Sequence, residues 1–451
     1  MAGRLQLKTE GAQDVFFTDD PEYTYFVKDH IKHKNFSIFN TDLDVSGEIE
    51  FNNTLECTIP QNQGDLVKNI SVKIELNPIP QNHVGSPYVG FGYLETIGHA
   101  MIEYAQLYIG SELIQHIDSD FLEIYSENFV TQTKQENLSK LIGKPPLEKS
   151  GTEVSDTSIN SYLGFADTSN AYPKSFTVNL PFYFHNNPEL AIPICAITQQ
   201  EIKVVLKLRD VNDCIYGRAQ VDSQYYNMYC ARSPKGLIKN LKISTEMIEL
   251  IQDEREKIKN SKINHIITQV QQNKRTIPAH PSSNTVNQTI THRLNFKNPV
   301  KELFFVIQRK NNRVLDSTNF TSTFDYDLKI YQTLNGEYLN YESLRNLELS
   351  LDDRIILNEK TGDVINLRAI QSGIHHSRTQ LFRRFYSYSF ALEPERWYPT
   401  GQVNFSLIKD QNIKLNLNPD YDQGIRELRV YALSYNILRI ENGIATTLFN
   451  L

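Results

Sequence analysis

Cysteine is scarce in this chain: Cys57, Cys195, Cys214 and Cys230 are the only four among 451 residues. None forms a CxxC pair, and their spacing matches no zinc ribbon or finger, so no structural zinc site is expected. Cys57 and Cys195 sit in apolar, strand-like stretches, where a free thiol behaves as a small hydrophobe. Buried, reduced thiols and a reducing compartment during folding are the expectation. Tryptophan occurs once and methionine four times. No run of 18 apolar residues is present to span a membrane as a helix. No unbroken apolar segment follows the basic residues Arg4 and Lys8, so the opening does not read as a secretion signal. Positive charge is short as well. The formal net charge of -7 argues against direct nucleic-acid binding through a broad basic face.

Catalytic signatures are also missing. Gly143-Lys144 has no phosphate loop around it, and neither a GxSxG elbow nor an HExxH helix occurs. His30 and His33 lack the i,i+4 spacing of a zinc helix. His375-His376 could not both reach one metal from a strand, because neighbours there face opposite sides; a loop position is expected. Asp19-Asp20 and Asp352-Asp353 read as turns. Arg309-Lys310 and Arg383-Arg384 read as solvated faces or ion pairs before phosphate grips. The 11 histidines are scattered, unlike the ligand cluster of a cupin. No catalytic residue, cofactor or metal ligand is assigned, and the chain is not read as an enzyme. Of seven Asn-x-Ser/Thr sites, Asn137 and Asn319 fall in long polar segments and are the two candidates for glycosylation.

What the chain does have is length, aromatics and alternation. Its 451 residues exceed one ordinary core and suggest two or three domains. Tyr (24) and Phe (23) are abundant, and both favour strands. In "KNISVKIELN" (68–77), Ile70, Val72, Ile74 and Leu76 alternate with polar residues, the pattern of a half-buried strand. Similar alternation in "SFTVNL" (175–180), "EIKVVLKL" (201–208), "LKIST" (241–245), "HRLNF" (292–296), "DVINL" (363–367), "NIKLNL" (412–417) and "LRVYAL" (428–433) predicts strands from end to end. Two helices are predicted. One begins at the capping cluster Asp118-Ser119-Asp120 and carries Phe121, Tyr125 and Phe129. The other, "IQDEREKIKN" (251–260), is polar on most faces and reads as a connector. The segments from Thr131 to Pro173 and from Arg309 to Thr323 read as elaborated surface loops. A faint echo links "LPFYFHNNPELAIPI" plus "EIKVVLKL" to "YSYSFALEPERWYPTG" plus "NIKLNL": an aromatic strand, a Pro-containing turn, then an alternating strand.

Near the start, "GAQDVFFTDDPEYTYF" (11–26) combines a turn, an acidic Pro-broken stretch and exposed-type aromatics that need a surface to bury against. This stretch resembles the opening of the major capsid proteins of nucleocytoplasmic large DNA viruses. The resemblance continues in order through Gly64-Asp65-Leu66, "YIGSELIQHIDSDFLEIYSE" (108–127), "LPFYFHNNPELAIPICAITQQEIKVVLKL" (180–208), "YSYSFALEPERWYPTGQVNFSLI" (386–408) and "YALSYNILRIENGIA" (431–445). Glu189 stands where that family often has Gly. The resemblance implies an all-β fold, a double jelly roll of two eight-stranded antiparallel sandwiches with a few short helices in loops. It implies an arm (1–26), a first jelly roll (27–250), a connector (251–260) and a second jelly roll (261–451). It further implies a homotrimeric, pseudo-hexagonal capsomer that contacts neighbouring capsomers and minor capsid proteins, with internal membrane contact at most indirect. The virion shell, assembled in the host cytoplasm, is the implied location. Phe16, Phe17, Tyr23, Tyr25 and Phe26 are expected to cover inter-barrel or inter-subunit seams. A lower-copy capsid paralogue, or a jelly-roll protein binding glycans or a receptor, is the alternative reading.

Overall fold

Strands form wherever the period-two alternation has a core to face, and among the described residues two sets of eight build the four main sheets. The computed structural model describes residues 9, 11–22, 24–26, 32–79, 88–144, 174–221, 224–227, 235–279, 287–309, 324, 326, 328–332, 337–378, 383–420 and 424–449. The first set comprises β1 (Phe36–Asp44), β2 (Thr54–Ile59), β3 (Leu66–Leu76), β4 (Ile102–Ile109), β5 (Glu112–Asp118), β6 (Lys174–Asn179), β7 (Ile202–Leu208) and β8 (Ile238–Leu250). The second comprises β9 (Ile263–Ile277), β10 (Gln288–Arg293), β11 (Pro299–Arg309), β12 (Leu344–Leu351), β13 (Arg354–Leu357), β14 (Phe385–Ser389), β15 (Gln411–Leu417) and β16 (Arg426–Glu441). In the first set the sheets run β1-β8-β3-β6 and β2-β7-β4-β5; in the second, β9-β16-β11-β14 and β10-β15-β12-β13. Counted from one to eight, both halves give the orders 1-8-3-6 and 2-7-4-5. That shared order is the jelly roll, two Greek keys wrapped into facing sheets.

The predicted strand over 68–77 lies in β3, with Ile70, Val72, Ile74 and Leu76 buried. Strand β16 departs from simple alternation, because nearly all of it is buried. Leu428, Val430 and Ala432 enter the second barrel's core, whereas Tyr431 and Leu433 join the first core. The same split occurs in β11: Leu303, Phe305 and Ile307 face inward, and Phe304 and Val306 face the first barrel. A strand covered on both faces reads as a nearly continuous apolar run, as "ELFFVI" (302–307) does.

The echo between the two halves is geometric as well. Ile192–Pro193 pairs with the start of β3 and is followed by a 3-10 turn, Ile194–Ala196. Val403–Asn404 pairs with the start of β11 and is followed by the 3-10 turn Phe405–Leu407.

Among the described residues six short α-helices accompany the sheets: α1 (Val15–Thr18), α2 (Ile97–Ala100), α3 (Ser119–Asn128), α4 (Gln135–Ile142), α5 (Gln252–Asn260) and α6 (Gln371–His375). Helix α3 is the predicted one, with the Asp118 side chain accepting from the Phe121 N–H at 2.9 Å. Helix α5 follows β8 and precedes β9, and buries no residue fully. Arg255 anchors it through a two-pronged contact with Asp65, Nε at 2.7 Å and a terminal nitrogen at 2.9 Å. Asp65 also accepts from the Leu250 N–H, so one buried carboxylate fixes the end of β8 and the helix after it.

Three expectations need correction. "DVINL" is a helical turn: Asp363 caps it, its carboxylate accepting from the Asn366 N–H at 2.7 Å and its carbonyl from the Leu367 N–H. Local capping by Asp outcompetes a short alternation whose only strand pairing is a single bridge from Asp363 to Asn346. The segment from Thr131 is not loop throughout, because Gln132–Lys134 and α4 are helical; residues 145–173 lie outside the described residues. Cys195 is half-buried in a 3-10 turn, whereas Cys57 and Cys214 are buried, and Cys230 lies outside the described residues.

Residues up to Phe36 form a separate compact unit. Within it, "GAQD" closes as a turn: the Asp14 carboxylate accepts from the Gly11 N–H at 2.9 Å, and the Asp14 N–H donates to the Gly11 carbonyl. The following Val15–Thr18 is one helical turn.

Candidate functional site: the seam between the barrels

Helix α3 leaves the first barrel directly after β5 and carries its acids at i, i+3 and i+7: Asp120, Glu123 and Glu127. That spacing places them along one helix face. All three are buried, which is costly for carboxylates without partners. Their partners come largely from the second half of the chain. Asp120 meets Arg429 of β16 at 3.0 Å and accepts from the Tyr326 hydroxyl at 2.8 Å. Glu123 meets Arg383 at 3.1 Å, and Arg383 reaches Glu95 at 3.0 Å. Glu127 meets Arg378 at 2.5 Å and also pairs with Lys144. Asp118, the N-cap of the helix, accepts from the Tyr431 hydroxyl at 2.7 Å and from the Gln272 amide.

The electrostatics follow from this geometry. Burial alone would raise the Glu123 carboxyl, but Arg383 and Lys144 hold it far below the usual range. Burial, reinforced by Asp120, raises Asp118, while burial pushes Lys144 down to about 8 against the pull of Glu123. A second charged cluster lies beside the helix. His376 is buried, 2.6 Å from Glu302 and 3.4 Å from Glu395. Although burial opposes its charge, the two glutamates raise it to about 9. Phe129 packs edge-on against the His376 ring at 4.9 Å and against Phe304 at 6.3 Å.

A third contact closes the seam near the C-terminal hairpin. The Gln199 N–H donates to the Gly443 carbonyl at 3.1 Å, and the Ala445 N–H to the Gln200 side chain at 2.7 Å. Asn442 and Gly443 both have positive φ, 54° and 81°, as a two-residue hairpin turn requires. A Cβ at Gly443 would meet the Thr198 hydroxyl at 2.5 Å.

The residues singled out in the sequence lie elsewhere. Phe16, Phe17, Tyr25 and Phe26 belong to the N-terminal unit, where they are 85% or more exposed; Tyr23 lies outside the described residues. Asn137 is exposed on α4, not in a loop, and Asn319 lies outside the described residues. His375-His376 lies at the end of α6, and His376 is a buried ion-pair member. Arg383 and Arg384 make ion pairs, Arg384 with Glu342 at 2.9 Å. Sequence reasoning took Phe121, Tyr125 and Phe129 as the meaningful face of α3 and passed over the acids. Three carboxylates at one-face spacing on a helix so rich in apolar residues were the available signal.

Two family models divide the chain between them: "Major capsid protein N-terminus" matches residues 24–234, and "Large eukaryotic DNA virus major capsid protein" matches residues 254–446. This chain belongs to the major capsid protein family of large eukaryotic DNA viruses. Among curated relatives, it is 26% identical to the major capsid protein of Pyramimonas orientalis virus, with 98% of each chain covered. It is 24% identical to that of Phaeocystis pouchetii virus, again over 98% of both. Of solved structures, the PBCV-1 virus capsid aligns with a TM-score of 0.71 at 20% identity, covering 95% of this chain and 100% of that one. The Faustovirus major capsid protein aligns with a TM-score of 0.68 at 13% identity, covering 98% and 96%. The fold is therefore the double jelly roll. As a member of this family the chain is a structural protein of the virion capsid, not an enzyme.

Proposed function

We propose that this capsid protein trimerises into a pseudo-hexagonal capsomer that tiles an icosahedral shell around a double-stranded DNA genome. The observation that carries the proposal is the repetition of one strand order in two barrels locked by a buried ionic seam. Three chains supply six similar barrels, and a closed ring of three satisfies every interface. Exposed aromatics mark interaction surfaces, and the exposure of Phe16, Phe17, Tyr25 and Phe26 supports them, with Tyr23 of the same stretch, as an arm covering seams between barrels or subunits. On this reading residues 1–26 are the arm, 27–250 and 261–451 the two jelly rolls, and 251–260 the connector. Neighbouring capsomers and minor capsid proteins contact the tile, and assembly takes place in the host cytoplasm. Asn137 and Asn319 are the proposed glycan acceptors.

Native mass spectrometry of the purified protein over a range of concentrations tests the reading. A stable three-chain species is expected, and deleting residues 1–26 should weaken it while leaving the barrels folded. A monomer that persists at high concentration would overturn the proposal.

A further inference from the structure

The two barrels carry the same defect at the same place. Where β3 pairs with β8, Asn69 faces Glu246 and Val67 faces Met247, so Lys68 is an extra, bulged residue. Where β11 pairs with β16, Glu302 faces Leu433 and Val300 faces Ser434, so Lys301 is the extra residue. Val67-Lys68-Asn69 and Val300-Lys301-Glu302 are thus equivalent, and each bulge re-aims a lysine out of its ladder. In the first barrel that lysine is answered: Lys68 lies 2.8 Å from Glu246 and is partly exposed. In the second, the position equivalent to Glu246 is Leu433, and Lys301 is only 5% exposed.

Among the described residues the Lys301 ammonium meets no hydrogen-bond acceptor; its one close partner is the ring of Tyr435, 5.4 Å away. A buried ammonium has three donors to satisfy, and leaving them empty is costly. Burial already pulls Lys301 down to about 8, against the fields of Glu302 and Glu395. Glu302 holds His376 through one oxygen, its other oxygen being buried without a partner, and Glu395 is engaged with His376 and Ser377.

Lys301 and Leu433 line a cleft of about 90 Å³ in the seam, room for roughly three waters at liquid density. Its walls include Phe121 of α3, Phe129 just after that helix, and Trp397. Tyr183 also lines it, and its hydroxyl is buried without a partner. His185, on the same wall, is held uncharged at ordinary pH by burial, which lowers it to about 4.

We propose that this seam cleft binds a small organic carboxylate on an apolar or aromatic stem, its oxygens taken by Lys301 and Tyr183 and its stem by the aromatic walls. The proposal is independent of how many chains form the capsomer. It would make the ligand a wedge between the barrels, stabilising the folded chain in proportion to its occupancy.

Trp397 is the chain's single tryptophan and reports on the cleft directly. Benzoate is the probe, and benzyl alcohol its uncharged counterpart. Benzoate should change the Trp397 emission saturably and raise the melting midpoint, with benzyl alcohol about tenfold weaker or more. Lys301→Met should weaken benzoate by a similar factor. Leu433→Glu, which rebuilds the pairing of Lys68 with Glu246, should also abolish binding while keeping the lysine, and serves if Lys301→Met fails to fold. The absence of a saturable response to benzoate, an equal response to benzyl alcohol, or unchanged affinity in Leu433→Glu would each overturn the site.

Discussion

Removing Arg429 leaves Asp120 buried without its nearest cation, 3.0 Å away. Breaking one side of such a pair costs about 3–5 kcal/mol, chiefly because the remaining charge is stranded. Arg429→Met should therefore lower the urea midpoint strongly, whereas Lys73→Met, which removes an exposed pair with Asp42, should leave it nearly unchanged. His376 makes a pH-dependent contribution. Its folded-state value lies near 9, above its ordinary 6.5, so its stabilisation is complete below about 6.5 and is lost as pH rises through about 9. A shift of that size corresponds to on the order of 3 kcal/mol. Melting curves of the wild type and His376→Gln should differ most in mild acid and converge above pH about 9. Convergence in acid instead would show that His376 is neutral in the fold.

The hairpin joining β12 to β13 turns on Asp352 and Asp353, both with positive φ, 45° and 62°. Asp352 is further committed, because its carboxylate accepts from the Lys409 and Asp410 N–H groups at 3.0 and 2.9 Å. Asp353 has no such duty, so Asp353→Gly should be neutral or slightly stabilising. Asp353→Val should cost about 1–2 kcal/mol, since a branched side chain resists the left-handed region; paired denaturation curves decide it. Turns of this kind were legible from sequence because the conformational demand sits on two adjacent residues. The "DVINL" turn was not, because its fate depends on Gly362, where a Cβ would clash with the Leu347 carbonyl of β12. Alternation over five residues cannot report that a neighbouring strand lies so close.

Continuity of the first core across the seam, through Phe304, Val306, Tyr431 and Leu433, makes the two barrels one cooperative unit. Calorimetry of the wild type should give a single transition. Combining Arg429→Met with Phe304→Ala, which also removes the packing on Phe129, should split it into two, because coupling through the seam is lost while Leu303, Phe305 and Ile307 still hold the second core. A single, merely shifted transition would mean that the barrels are coupled elsewhere. The duplicated strand order and the paired bulges at Lys68 and Lys301 show how one architecture was used twice with different partners for the same lysine.

The sequence by itself determined the strands whose alternation repeats, the capped start of α3 at Asp118, the polar α5, and, through ordered motifs, the double jelly-roll family. These are local properties, fixed by period, capping and turn chemistry within a few residues. Only the tertiary structure decided that the acids of α3 meet Arg378, Arg383 and Arg429, that β11 and β16 are buried on both faces, and that Lys301 has Leu433 where its equivalent has a counter-ion. Each depends on residues hundreds of positions apart being brought within a few ångströms, where desolvation makes charge pairing decisive, and no pattern along the chain encodes that distance.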